Sequence, residues 1–446
     1  MQKKCIMILL DGVGDRSYPE LNDLTPLQAA RTPFIDQLVR DGASGLYHAG
    51  LLGQALPSEN AHFAIFGYDM ATFPGRGALE ALGAGIPMDS GEVALLAHFV
   101  SVQRSCDGTL VLVDGKPEAS DEEITALIKS IGKYSADGVQ VQLHHTHGYR
   151  GIVTLSGDVA PFITDSDPLF QGRPVAAVVP WVDFADKKAP QKTSKILGSY
   201  LEWVHHTLHC HPVNVARQKQ GRLMLNALVT QRAGRLKTVT PFTNRWGLRG
   251  LIIASGIVYH GLAGYLAMDV YKADDTPRPG RDLAKRLELA LAALDDHDFI
   301  HVHTKMPDQA AHTKDPAYKT QVLELLDRGI GTVLEALRAQ PDLLIVIAAD
   351  HSTPSAGPLI HSGEAVPLVF YGPGIRRDQV RHYDEVSAAA GALGMVRGKE
   401  LMYLILNHLD RAKLQGLMDT PADQPYWPGE AEKLRVHTPQ RAGEKQ

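Results

Sequence analysis

Four runs of branched apolar residues limit the fold most. Each has strand length, and each ends at turn residues or at side chains able to do chemistry. Cys5 to Leu10 runs into Asp11, and Phe299 to His303 leads to Lys305 and Asp308. Leu343 to Ala349 stops at Asp350 and His351, and Val366 to Tyr371 closes on Gly372, Pro373 and Gly374. Continuous apolar runs of this kind suit strands buried on both faces of a parallel sheet. Between them the apolar period becomes helical. Pro316 to Leu337 carries Val322, Leu325, Leu326, Ile330, Val333, Leu334 and Leu337, and Asp282 to Leu294 and Lys399 to Leu409 read the same way. Alternating strands and helices predict an α/β fold, a mainly parallel sheet flanked by helices. In such sheets ligands gather beyond the carboxyl ends of the strands.

The middle of the chain has a different texture. Residues 89 to 235 hold more turn signals and short strand-like pieces, such as Thr109 to Val113, Val139 to Leu143 and Gly151 to Leu155. This stretch is expected to be a smaller α+β domain inserted into a discontinuous core of residues 1–88 and 236–446. A length of 446 residues suits more than one domain. Beyond Asp410 the chain turns rich in Pro, Lys, Glu and Gln, and its end is expected to fray. A net charge of -5 offers no basic footprint for nucleic acid. No apolar run reaches the length of a membrane span, and the short run after Lys3 and Lys4 reads as a strand rather than a secretion signal. Three scattered cysteines, Cys5, Cys106 and Cys210, argue against a disulfide framework and for a reducing compartment such as the cytoplasm.

Several side chains suit metal and phosphate chemistry. Asp308 and His312, four apart on a helix, share a face and can reach one ion, although alone the pair reads more readily as a solvated helix face. Asp350 and His351 sit at a strand end, with His361 ten residues on. Asp11 follows a buried strand, where an Asx-turn with Gly12 would also explain it. Ser58 precedes a helical stretch and reads as its N-cap. A helix start also favours a phosphate beside that serine, and metal coordination can activate a serine hydroxyl. A second histidine cluster, His205, His206, His209 and His211 with Cys210, has metal-like spacing but lies in the middle region.

The order Asp, Ser, Asp-x-x-x-His, Asp-His, His resembles the alkaline phosphatase superfamily. Within it the chain resembles the archaeal-type 2,3-bisphosphoglycerate-independent phosphoglycerate mutases. The matching segments include LLDGVGDR, LTPLQAARTPFIDQL, PSENAHFAIFGYD, GRGALEALGAGI, GYRGIV, TDSDP, HPVNVAR, HVHTKMPDQAAH, AADHSTP and HSGEAVPLVFYG. The resemblance implies two divalent ions, manganese or zinc with magnesium as a third option. Asp308, His312 and His361 would hold one; Asp11, Ser58, Asp350 and His351 would hold the other. It implies a small phosphorylated substrate, with Ser58 as the catalytic nucleophile carrying a phosphoryl group between 3- and 2-phosphoglycerate. Lys305, Arg150, Arg217 and Asp167 become candidate substrate groups, whereas Arg76 is expected to shape a loop.

The sequence departs from the family at two places. Glu59 stands where Asp usually follows the nucleophile, and Tyr271 to Asp275 replaces a Gly-Ala-Thr-Gly stretch. Neither departure touches an implied ligand. The competing readings are another phosphotransferase of homoserine-kinase type or a phosphomonoester hydrolase on the same core, and a non-catalytic binding protein.

Overall fold

The computed structural model describes residues 2–436, so the end expected to fray lies largely outside the described residues. The chain opens with β1 (Lys4–Leu10) and β2 (Ala43–His48). A run of six strands follows: β3 (Val93–Arg104), β4 (Leu110–Asp114), β5 (Lys133–Ala136), β6 (Val139–His147), β7 (Arg150–Ser156) and β8 (Ala227–Gly234). Six more complete the chain: β9 (Gly250–Ala254), β10 (Asp269–Lys272), β11 (Phe299–Thr304), β12 (Leu343–Ala348), β13 (Val366–Tyr371) and β14 (Gly394–Arg397).

The larger sheet runs β10-β9-β11-β1-β12-β13-β2-β14. Its apolar centre is β1, whose residues from Cys5 to Leu10 are buried. Parallel pairing sets Leu10 against Thr304 and Leu9 against Ala348. One register therefore brings Asp11, Lys305 and Asp350 to the same carboxyl edge, as buried parallel strands require. Helices Pro279–Ala292 and Pro316–Arg338 cover this sheet. They cross so closely that a Cβ on Gly280 would lie 2.2 Å from the Leu325 carbonyl oxygen.

The strand Val366–Tyr371 differs from the expected parallel arrangement. It runs antiparallel to both β12 and β2. The link from β12 to β13 contains no crossover helix, and a parallel return needs one.

The second sheet draws all six of its strands from residues 93–234. Its order is β4-β3-β7-β6-β5, with β8 also paired to β3, and every pairing is antiparallel. Helices Asp121–Ile131 and Lys188–His209 close one face over a separate core that includes Leu95, Phe99, Val153, Leu197 and Tyr200.

Candidate active site

The larger sheet delivers two groups of ligand-type atoms to its carboxyl edge. Asp308 and His312 come from the helix Met306–His312 that follows β11, and His361 from the link between β12 and β13. His312 Nε2 lies 3.3 Å and His361 Nε2 3.5 Å from Asp308 Oδ1. Asp11, Asp350 and His351 form the second group. His351 Nε2 is 3.5 Å from Asp11 Oδ1 and 3.2 Å from Asp350 Oδ2. Within each group the ligand atoms lie within 4.8 Å of one another. The His351 and His361 rings stack at 3.8 Å and join the groups into one centre.

The second group presents carboxylate oxygens without donors. Asp11 Oδ2 accepts hydrogen bonds from Tyr259 Oη at 2.9 Å and His303 Nε2 at 3.0 Å. Asp350 Oδ1 accepts from the Gly12 and His351 amides, both at 3.0 Å. The other oxygens, Asp11 Oδ1 and Asp350 Oδ2, are buried with no hydrogen-bond donor. Besides His351 Nε2, only His62 Nδ1 approaches, 3.4 Å from Asp350 Oδ2 and itself bonded to Ser58 O, and two bare carboxylate oxygens placed so would cost several kcal/mol without a counter-ion. Burial and the neighbouring Asp11 push Asp350 well above the usual carboxylate range. Burial holds His351 down to about 3, so it is the neutral imidazole that a metal requires. In the first group burial opposes ionisation of Asp308, but hydrogen bonds with His312 and His361 outweigh it and hold the carboxylate well below its usual range.

The loops carrying these residues are tied together. Gly12 has φ +64, and a Cβ there would lie 2.8 Å from the Asp308 Cβ, so only glycine fits. Lys319 is fully buried, and its Nζ donates to Gly12 O, Gly14 O and Thr353 O and pairs with Asp15 Oδ2. It fastens the turn after Asp11 to the turn after His351.

Ser58 is not the expected cap. Pro57 takes the N-cap position without a side-chain bond, and Ser58 is the first residue of the helix Ser58–Ile65. The preceding proline already supplies the extended backbone a cap needs. The serine hydroxyl is thus free to meet His351 Nε2 at 2.9 Å.

Beside Lys305 a cleft of about 440 Å³ opens between the two sheets. Arg76, His98, Arg150, Asp167 and Arg232 also line it. It therefore gathers Lys305, Arg150 and Asp167 as the sequence suggested, but not Arg217. That residue is buried away from the cleft, donating to Leu223 O, Glu118 O and Glu123. An arginine pattern alone does not distinguish a substrate clamp from an internal strut. Arg76 does not shape a loop as expected but opens the helix Arg76–Gly83, where Gly75 takes the cap. Arg76 and Arg232 both pair with Glu59, at 3.4 and 2.7 Å, and Glu59 is 1 % exposed. Tyr259, Lys319 and Arg232 left no motif in the sequence, and His303, although inside the HVHTKMPDQAAH segment, had no role assigned to it there. The one available signal was that His303 closes an apolar run two residues before Lys305. Among the described residues the cluster from His205 to His211 forms no ligand group, and His205 instead engages the Asn226 carbonyl.

A sequence-family model described as 2,3-bisphosphoglycerate-independent phosphoglycerate mutase matches residues 40–214. The Methanocaldococcus jannaschii protein named 2,3-bisphosphoglycerate-independent phosphoglycerate mutase 2 is 39% identical over 421 residues, spanning 93% of this chain and 95% of that protein. A Methanopyrus kandleri protein of the same family name is 36% identical, spanning 93% of this chain and 99% of that one. Among solved structures, cofactor-independent phosphoglycerate mutase from Thermoplasma acidophilum superposes with a TM-score of 0.62 at 28% identity, covering 91% of this chain and 99% of that one. A Pyrococcus horikoshii protein reaches 0.77 at 28% identity, covering 94% of this chain and 100% of that one.

Proposed function

Since the chain belongs to the 2,3-bisphosphoglycerate-independent phosphoglycerate mutase family, we propose that it interconverts 3-phosphoglycerate and 2-phosphoglycerate by way of a phosphoserine at Ser58. The observation that carries this reading is the Ser58 hydroxyl, 2.9 Å from His351 Nε2 at the edge of the ligand centre. Asp308, His312 and His361 would hold one divalent ion, and Asp11, Asp350, His351 and Ser58 the other, with manganese, zinc and magnesium as candidates. When bound, the ions lower the serine pKa and neutralise charge on the transferring group.

The rest falls to the chain. Ser58 Oγ bonds to phosphorus as the bond to the 3-oxygen of the substrate breaks, and the serine proton ends on that oxygen. The glycerate turns without leaving. Its 2-hydroxyl then takes the phosphoryl group, and its proton returns to Ser58. Lys305 neutralises phosphate charge at the strand end. Arg150 grips the carboxylate and Asp167 accepts from a hydroxyl, both from the cleft wall. Residues 89–235 form the substrate domain, which closes the cleft against water so that the phosphoserine is not hydrolysed.

Among the described residues no helix is long and apolar enough to cross a membrane. The three free cysteines fit a cytoplasmic, reducing setting.

A coupled assay for 2-phosphoglycerate, run beside a phosphate-release assay, tests the proposal. Conversion with little phosphate released is expected. Release that outpaces conversion would mean a phosphatase, and turnover of homoserine with a phosphoryl donor but not of phosphoglycerate would mean a kinase-like transferase. Ser58→Ala should stop transfer in a folded chain, and retained turnover would remove Ser58 as the nucleophile.

A further inference from the structure

Asp11 and Asp350 each offer the centre a single oxygen, but the chain occupies the other oxygen in different ways. Asp350 Oδ1 is taken by two backbone amides. Asp11 Oδ2 is taken by two side chains, Tyr259 and His303. Both side chains are held in place. Tyr259 is 1 % and His303 0 % exposed, and their rings pack at 4.1 Å. His62 packs against both rings, at 4.8 and 5.1 Å, and Lys305 Nζ sits 4.8 Å over the Tyr259 ring. Arg286 Nη1 donates to the His303 carbonyl at 2.6 Å. For His303 Nε2 to donate it must carry the ring proton, and its Nδ1 has no partner to compete for it.

We propose that Tyr259 and His303 are positioning residues that fix Asp11 as a one-oxygen metal ligand and thereby bias this site toward zinc over manganese. The inference rests on the reading of Asp11 as a ligand. With one oxygen each from Asp11, Asp350 and Ser58 and one nitrogen from His351, the set offers four donors, the number zinc prefers. Manganese favours six, largely oxygen. A freed Asp11 Oδ2 would add a fifth donor and turn the carboxylate into a chelate, which helps manganese more than zinc. Outer partners of this kind alter metal affinity by about 10- to 100-fold.

Tyr259→Phe removes one hydroxyl and leaves the ring packing. The full chain is dialysed to equilibrium against buffered zinc, and separately manganese, and bound metal is counted per chain. Zinc affinity at one of two sites should fall about tenfold, manganese affinity should change less, and the zinc-over-manganese preference should fall with it. His303→Leu should act alike, whereas His303→Gln, which keeps a donor at the same reach, should retain the parent preference. Circular dichroism checks folding, and if Tyr259→Phe does not fold, the two His303 variants decide. Unchanged affinity and preference in folded Tyr259→Phe and His303→Leu chains would overturn the positioning role. Asp11→Ala separates the two ideas. If it still binds two ions per chain, Asp11 is no ligand and the inference falls with that reading. If it loses one ion while Tyr259→Phe changes nothing, only the positioning role fails.

Discussion

Replacing Lys319 with methionine should do most to loosen the centre without touching a proposed ligand. Methionine matches the length and much of the volume of the stem, so packing among the helices is largely preserved. What disappears is one buried ammonium and its four contacts, at 2.9 Å to Gly12 O, 3.1 Å to Gly14 O, 3.0 Å to Asp15 Oδ2 and 3.0 Å to Thr353 O. Removing one partner of a buried ion pair costs about 3–5 kcal/mol. Asp15 keeps donors from Tyr18 Oη, the Arg16 and Ser355 amides and the Ser355 hydroxyl, so the ion-pair part sits near about 3 kcal/mol. Gly14 O keeps the Thr353 amide at 2.9 Å, and the two carbonyls left without a donor, Gly12 O and Thr353 O, add about 1 kcal/mol in aggregate once the turns relax. Urea unfolding of the full chain, followed by circular dichroism and fluorescence together, should show a loss of about 4 kcal/mol. Bound metal per chain should also fall, since the lysine joins the turns after Asp11 and His351. A loss under about 1 kcal/mol with full metal content would refute the argument that this lysine holds the centre together.

Three further outcomes follow from the same geometry. Arg150→Ala should raise KM about tenfold or more, whereas Arg217→Ala should leave KM unchanged and cost about 2–3 kcal/mol in urea unfolding, since Glu123 keeps Arg222. Arg232→Ala frees Glu59 from its 2.7 Å partner and should raise the fraction of turnovers ending in released phosphate, read by running both assays side by side. Burial pushes Glu385 up to about 7, above its unfolded value, so its stabilising contribution is complete below about pH 4.3 and is lost as pH rises through 7. Glu385→Gln, which can keep the contacts to Thr25 and the Asp15 amide, should therefore stabilise the chain at pH 8 by about 1–2 kcal/mol. That gain should shrink toward pH 4.5, and a pH-independent difference between the two chains would contradict it.

Much of the centre was legible because parallel strands write their ends into the sequence. A buried strand must be apolar along its length, so the first polar residue after it marks the edge where ligands gather. Asp11, Asp350 and His351 announce themselves this way, and helix periodicity pairs Asp308 with His312. Strand direction was not legible, because a two-face-buried run looks alike whichever way it points, and Val366–Tyr371 turned out antiparallel. The side chains that hold the proposed ligands were also hidden. Tyr259 lies in a helix that is apolar nearly all round, and Lys319 sits on the buried face of a helix where the pattern leads one to expect an aliphatic residue. Their roles depend on contacts across more than 240 positions of chain, a relation that local spacing does not encode.

Glu59 connects the proposed nucleophile to the region proposed to recognise substrate. It is the second residue of the Ser58 helix, and its carboxylate is enclosed while joining Arg76 to Arg232 of β8. A single carboxylate thus draws on two of the cleft's cations before any substrate enters. An anionic substrate meets Arg76 and Arg232 already partly neutralised, while Lys305 and Arg150 have no carboxylate partner among the described residues. The attraction is therefore uneven across the cleft. It is strongest at Lys305, beside the ligand centre, and at Arg150, on the opposite sheet. That separation suits a ligand with an anionic group at each end, as in a molecule carrying one phosphate and one carboxylate. The Arg232–Glu59 pair also couples β8 mechanically to Ser58, because any movement of β8 pulls on the residue next to the proposed nucleophile.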